Sequence, residues 1–312
     1  MYMKIRIGQS VQFVFTTLLL FFSLASRIPA QTTGNADESW LQELLKEREQ
    51  KDVEFKTSAT SPMAGSMRLT ISIPEKTFIT IKDGSVTIQP GGGAGAVFSV
   101  FGRQGKWYWD DAAPDVTCRQ GERAIVQKTD VLPAGSLFKA GRFTLAVYPG
   151  FDTLALIVFD PQRPQQLAFE HLLYYPPDSV YAVKARLEKF SEKREVKIIT
   201  TRKLEKTFYR YARVHFSLAG RELVLTALKS SLEGPDSSFL FIPFKDETNG
   251  RESYEVGRFI DVPEPVGEEF VLDFNRCYNP LCNYSPAYNC PLPPLENFLE
   301  IDVPAGEKVY PH

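Results

Sequence analysis

Histidine is scarce in this chain. There are three in 312 residues, and only His171 and His215 lie away from the end. Neither His-Glu-x-x-His nor Gly-x-Ser-x-Gly occurs, which removes the commonest zinc-protease and serine-hydrolase signatures. Cysteine is sparse too, at four. Cys277, Cys282 and Cys290 follow no recognised zinc spacing and form no Cys-x-x-Cys dithiol. No metal and no cofactor is expected. A basic excess is also missing, with 36 Lys and Arg against 38 Asp and Glu, and nucleic-acid binding needs such an excess. The one positive cluster, Arg186 to Lys206, is broken by Glu188, Glu192, Glu195 and Glu205. After residue 60 there are no long helical patterns and no βαβ alternation, so a doubly wound sheet is excluded. The run Gly91 to Gly95 precedes a strand pattern and not a helix start, so it lacks the geometry that cradles phosphate.

What is present begins with the leader. Lys4 and Arg6 precede the apolar run Val11 to Leu24, and Ile28-Pro29-Ala30 follows. This reads as a secretory signal peptide over residues 1–30. The run is shorter than the ~20 residues that span a bilayer comfortably, which disfavours an uncleaved anchor. No transmembrane segment is expected in the mature chain, and a periplasmic or extracellular location follows. Loss of Lys4, Arg6 and Arg27 leaves 33 basic residues against 38 acidic ones, a net charge of −5.

Residues 31–66 read as a leader and one amphipathic helix, about 39–55. Ser39 is its cap, and Trp40, Leu41, Leu44 and Leu45 should pack on the first sheet. From Met67 the period changes to two, and short strand patterns separated by Gly and Pro turns continue to about residue 160. The Pro- and Gln-rich stretch 161–168 reads as a linker. Residues 169–312 form a second strand-rich unit ending in a tail crowded with proline, cysteine, asparagine and tyrosine. The expected fold class is mainly β: a short N-terminal amphipathic helix, two sandwich- or barrel-like units, and an irregular Pro/Cys-rich C-terminal tail.

Three blocks stand out in the second unit: FEHLLYYPPD (169–178), FKDETNGRESYEVGRF (244–259) and DFNRCYNPLCNYSPAYNCPLPPLEN (273–297). Together with Trp40, Arg48-Glu49 and Ser61-Pro62 near the start, they resemble the uncharacterised bacterial and archaeal family DUF1684. The resemblance runs from about residue 40 to the end and is weak over 67–160. Such a family implies no activity, so it bears on fold more than on function. Cys277 departs from its pattern, where alanine is usual.

The same blocks hold the residues suited to chemistry. Arg258 beside Gly257 offers a planar fork to a carboxylate or phosphate, and Asp273 or Asp246 could be its partner within the chain. Arg276 follows the strand ending near Phe274, and an inward guanidinium there requires a partner. Tyr254 and Tyr278 are orienting hydroxyls, and His171 and Asp246 the groups that could handle a proton. Cys282 and Cys290 bracket a turn-rich loop, and in an oxidising compartment their disulfide is expected. Two function classes follow. One is a small-anion binding or enzymatic pocket in the second unit. The other is a structural or interaction module of the cell envelope without catalysis.

Overall fold

The computed structural model describes residues 33–72, 76–150 and 152–311. The expected signal peptide lies outside them. The described chain is mainly β, with one long N-terminal helix, Thr33–Thr57, and two β-rich regions.

The first region holds two antiparallel sheets. In the six-stranded sheet the order is Gly65–Ser72, Thr153–Phe159, Phe143–Pro149, Leu137–Ala140, Thr117–Gln120 and Arg123–Ala124. The four-stranded sheet runs Ser85–Pro90, Thr77–Lys82, Ala96–Arg103, Lys106–Asp110. One core joins them: Ile79, Phe98, Trp107 and Trp109 from the smaller sheet meet Phe138, Leu145, Leu154 and Leu156 from the larger. Phe98 stacks on Phe138 with centroids 4.3 Å apart. The strand Arg123–Ala124 pairs over two residues only. Beyond it, Val126 N–H donates to Asp130 Oδ2 and Lys128 N–H to the Trp109 carbonyl, so side chain and loop replace the ladder. The region opens and closes at one point. Gly65 pairs with Phe159, and Asp160 N–H donates to the Ala64 carbonyl at 2.8 Å.

The second region is an eight-stranded sheet. Its main path is Arg258–Pro263, Phe239–Asp246, Arg221–Lys229, Glu205–Leu218, Ala182–Lys189 and Glu269–Asp273. Glu195–Ile199 pairs beside Glu205–Leu218, and Phe298–Leu299 lies parallel to Phe239–Asp246. The long strand shifts register between Arg210 and Ala212. The extra residue, Tyr211, splits its apolar side in two. Phe208 packs with Ile198 and Leu228, whereas Ala212, Val214, Phe216 and Leu218 enter the main core.

The helix departs from expectation in two ways. It starts at Thr33, so Ser39 is interior and not a cap. Among the described residues its polar side-chain ties go to the second region, while Phe55 packs on Met63 just ahead of the first sheet. Trp40 Nε1 donates to Asp273 Oδ2 at 2.7 Å, Arg48 to the Tyr175 and Asn275 carbonyls, and Asp52 accepts from Leu172 N–H. Lys51 pairs with buried Glu307. Leu44 and Phe55 are buried, but Leu45 and Val53 are exposed. The helix is therefore attached as much by polar side chains as by an apolar stripe. Segment 161–168 is not a loose tether either. It contains the helical turn Pro164–Leu167, while Arg163 donates to the Met63 carbonyl and Gln166 to the carbonyls of Phe55 and Lys56.

Candidate functional site

Gly257 precedes the strand that carries Arg258. It has φ +118, and a Cβ there would meet the Phe244 carbonyl at 2.6 Å and Pro293 Cγ at 2.7 Å. Only glycine lets the strand begin so close to its neighbour. Arg258 then points inward and is fully buried. One terminal nitrogen donates to Asp246 Oδ2 at 2.5 Å and to the Val303 carbonyl at 2.8 Å, and the other to the Ala305 carbonyl. Burial alone would lower its pKa. Neighbouring Cys277 and Asp246 outweigh that and hold the guanidinium charged. Asp246 also accepts from Thr248, N–H at 2.8 Å and Oγ1 at 2.6 Å. The turn Asp246 to Ser253 thus closes on itself, with Asn249 donating to Ser253 Oγ and the Tyr254 carbonyl.

Arg276 is also engaged from within. It donates to Asp273 at 3.2 Å and to Glu47 of the helix, with Glu43 at 3.7 Å. Tyr278 donates to Asp261 at 2.5 Å. His171 lies exposed. Asp246 is buried against Arg258. The two groups picked for proton handling therefore stand in different surroundings. The structure joins Arg258 to Asp246, ties Arg276 to Asp273, Glu47 and Glu43 and Tyr278 to Asp261, and leaves His171 exposed and apart from them.

Tyr254 meets the cysteines instead. Its hydroxyl donates to Cys282 Sγ at 3.6 Å, and Cys282 N–H donates to Cys290 Sγ at 3.2 Å. The expected Cys282–Cys290 bridge is not formed in this structure; all four cysteines are free thiols. The pair is held side by side with polarised sulfurs. Hydrogen bonding from Cys290 and from Tyr254 lowers the Cys282 pKa, while the same coupling and burial push Cys290 well up. Burial brings Lys206 down to about 7, with Cys290 opposing. Cys118 and Cys277 are buried, and burial raises both, Cys277 to about 11.

Sequence reasoning missed Glu307, buried between Lys51, Asn279 N–H at 2.7 Å and Tyr284 OH at 2.6 Å. It also missed a carboxylate hub at Glu264. Lys189, Lys229 and Tyr211 all reach this acid. Burial would raise Glu264, but these three hydrogen bonds overcome it and hold the acid at about 2. The available signal was the alternation of lysines across strand ends, which the period-two reading did not connect. A cleft of about 460 Å³ lies in the first region between Lys106, Trp107, Leu132 and Gly150, none of which was singled out by sequence. Among the described residues no group of three or more His, Cys, Asp or Glu could hold a metal, and no helix is long and apolar enough to cross a membrane.

The family model described as "Protein of unknown function (DUF1684)" matches residues 167–308. An uncharacterized protein of Haloarcula marismortui, solved by solution NMR, is 34% identical over 48% of this chain and 82% of its own, with a TM-score of 0.40. None of the curated proteins matches.

Proposed function

Since the chain belongs to the DUF1684 family of proteins of unknown function, a membership that carries no activity, we propose from its geometry that it is an exported, non-catalytic structural or interaction module of the cell envelope. The observation that carries this reading is the enclosure of Arg258. Its two terminal nitrogens are directed to Asp246, Val303 and Ala305, and the whole side chain, the unpartnered Nε included, is buried away from an outside anion. Arg276 supports the same reading, because its partners Asp273, Glu47 and Glu43 all come from within the chain. The residues that looked chemical then serve as internal ties for a region rich in proline and poor in ladder hydrogen bonds.

Residues 1–30 act in this reading as the export signal, and Cys282 and Cys290 pair once the chain meets an oxidant. The test is fractionation of cells making the protein, with amino-terminal sequencing and non-reducing peptide mapping of the recovered chain. A mature start near residue 31 in the envelope or medium, with Tyr284 and Tyr288 inside a crosslinked peptide, is expected. A chain beginning at Met1 in the cytosol overturns the proposal.

A further inference from the structure

The second region gathers positive charge at a place unrelated to Arg258. Lys189 ends the strand Ala182–Lys189, Lys193 lies in the turn after it, and Lys229 ends the strand Arg221–Lys229. All three ammonium groups face the ring of Tyr211, at 5.7, 4.9 and 4.1 Å from its centroid. Tyr211 is the bulged residue, and the bulge turns its ring to this point. One carboxylate, Glu264, serves the group. It pairs with Lys189 at 2.5 Å and with Lys229, and it accepts from the Tyr211 hydroxyl at 2.5 Å.

The arrangement is layered. Lys229 is 3% exposed and also donates to the Ser237 carbonyl, so it forms the floor with Glu264. Lys189 is about half exposed and Lys193 half-buried, so they form the mouth. Lys193 donates only to the Phe190 carbonyl of its own turn among the described contacts. Burial lowers its pKa, and Lys189 and Lys229 lower it further. Three ammonium groups against one carboxylate leave two positive charges in excess. Such an excess over a partly desolvated floor attracts anions more strongly than the same charges spread over a surface. A dianion with several acceptor oxygens matches both the charge and the unused N–H donors at the mouth. Lysine suits this role as a compact point charge with three donors.

We propose that Lys189, Lys193 and Lys229, ranged over Tyr211 and Glu264, bind a dianionic phosphate group, either free or as a phosphomonoester headgroup.

Calorimetric titration of the full chain with inorganic phosphate, against chloride at matched ionic strength, tests the site. Saturable binding of phosphate but not chloride is expected. Lys193→Met and Lys189→Met should each weaken it about tenfold, the scale of one close charge at intermediate dielectric. Lys197→Met, which removes an exposed pair with Glu205, should leave it unchanged. Thermal unfolding in chloride checks that each variant is folded. Flotation with phosphatidylcholine vesicles, with and without phosphatidic acid, separates the sources. Flotation that requires both phosphatidic acid and Lys193 identifies a lipid headgroup. Phosphate binding without flotation identifies a soluble phosphate. Equal response to phosphate and chloride, or full phosphate binding by Lys193→Met, overturns the proposal.

Discussion

Arg258 and Asp246 form an ion pair with both side chains out of solvent. Removing one partner of such a pair leaves a buried charge without its counterion, which typically costs about 3–5 kcal/mol. Arg258→Met should therefore lower stability by about that amount, because Asp246 keeps only its Thr248 and Val303 donors. The carbonyls of Val303 and Ala305 lose a donor as well. Arg258→Met with Asp246→Leu should recover a good part of the loss, since an apolar pair of similar volume removes the desolvation problem. Chemical denaturation midpoints measure both. A single variant within about 1 kcal/mol of the parent would show the pair to be dispensable. Sequence made Arg258 and Asp246 each visible, and offered Asp273 and Asp246 alike as the arginine's partner within the chain. It left the outcome open because the deciding acceptors, the Val303 and Ala305 carbonyls, are backbone atoms some 45 residues away that carry no side-chain signature.

At the scale of elements, alternation and turn residues located most strands of both regions, for instance Thr153–Phe159 and Arg221–Lys229. They gave neither the bulge at Tyr211 nor the partner of the helix. The bulge depends on register with the next strand, which alternation within one strand does not encode. The strands Arg221–Lys229 and Phe239–Asp246 pair at only one position, Leu228 with Phe241. Asn297 fills the gap beyond it: its amide accepts from Thr226 N–H at 2.7 Å and donates to the Thr226 and Pro243 carbonyls. The helix Thr33–Thr57 was expected on the first sheet because that sheet follows it in sequence. Its side chains instead reach Asp273 and Glu307. Trp40→Phe with Lys51→Met should therefore loosen the helix selectively. Amide exchange in residues 40–55 should accelerate about tenfold or more, while the central strands keep their protection. Unchanged protection in the helix would mean that Leu44, Phe55 and the remaining ties of Glu47, Arg48 and Asp52 hold it without these two.

For the whole molecule, the meeting of Ala64 with Asp160 makes the first region an excursion from a chain that continues on the far side. Deleting residues 66–159 and joining the ends through a short glycine linker should leave a cooperatively folding protein. That product should also self-associate. Phe259, Ala287 and Tyr288 pack against Ala146, Ile157 and Phe159 of the first region, and they would become an open apolar patch. Dispersed amide resonances, with a sedimentation coefficient that rises with concentration, are the expected readout. Loss of a cooperative transition would mean that the second region needs the first in order to fold.

The helix and its anchors also stand at opposite ends of the order of synthesis. Trp40 and Asp273 are 233 residues apart, and Lys51 and Glu307 are 256 apart. At ribosomal rates of about 5–20 residues per second, the first helix waits roughly 10 to 50 s for the acids that will hold it. During that interval Phe55 meets Met63 and later Phe169 and Leu172, but not Tyr284, and a lone helix of this length is only marginally stable in water. The early chain is therefore an exposed, partly formed helix awaiting its last segment. For as long as that wait lasts, a chaperone has an incompletely folded helix to hold.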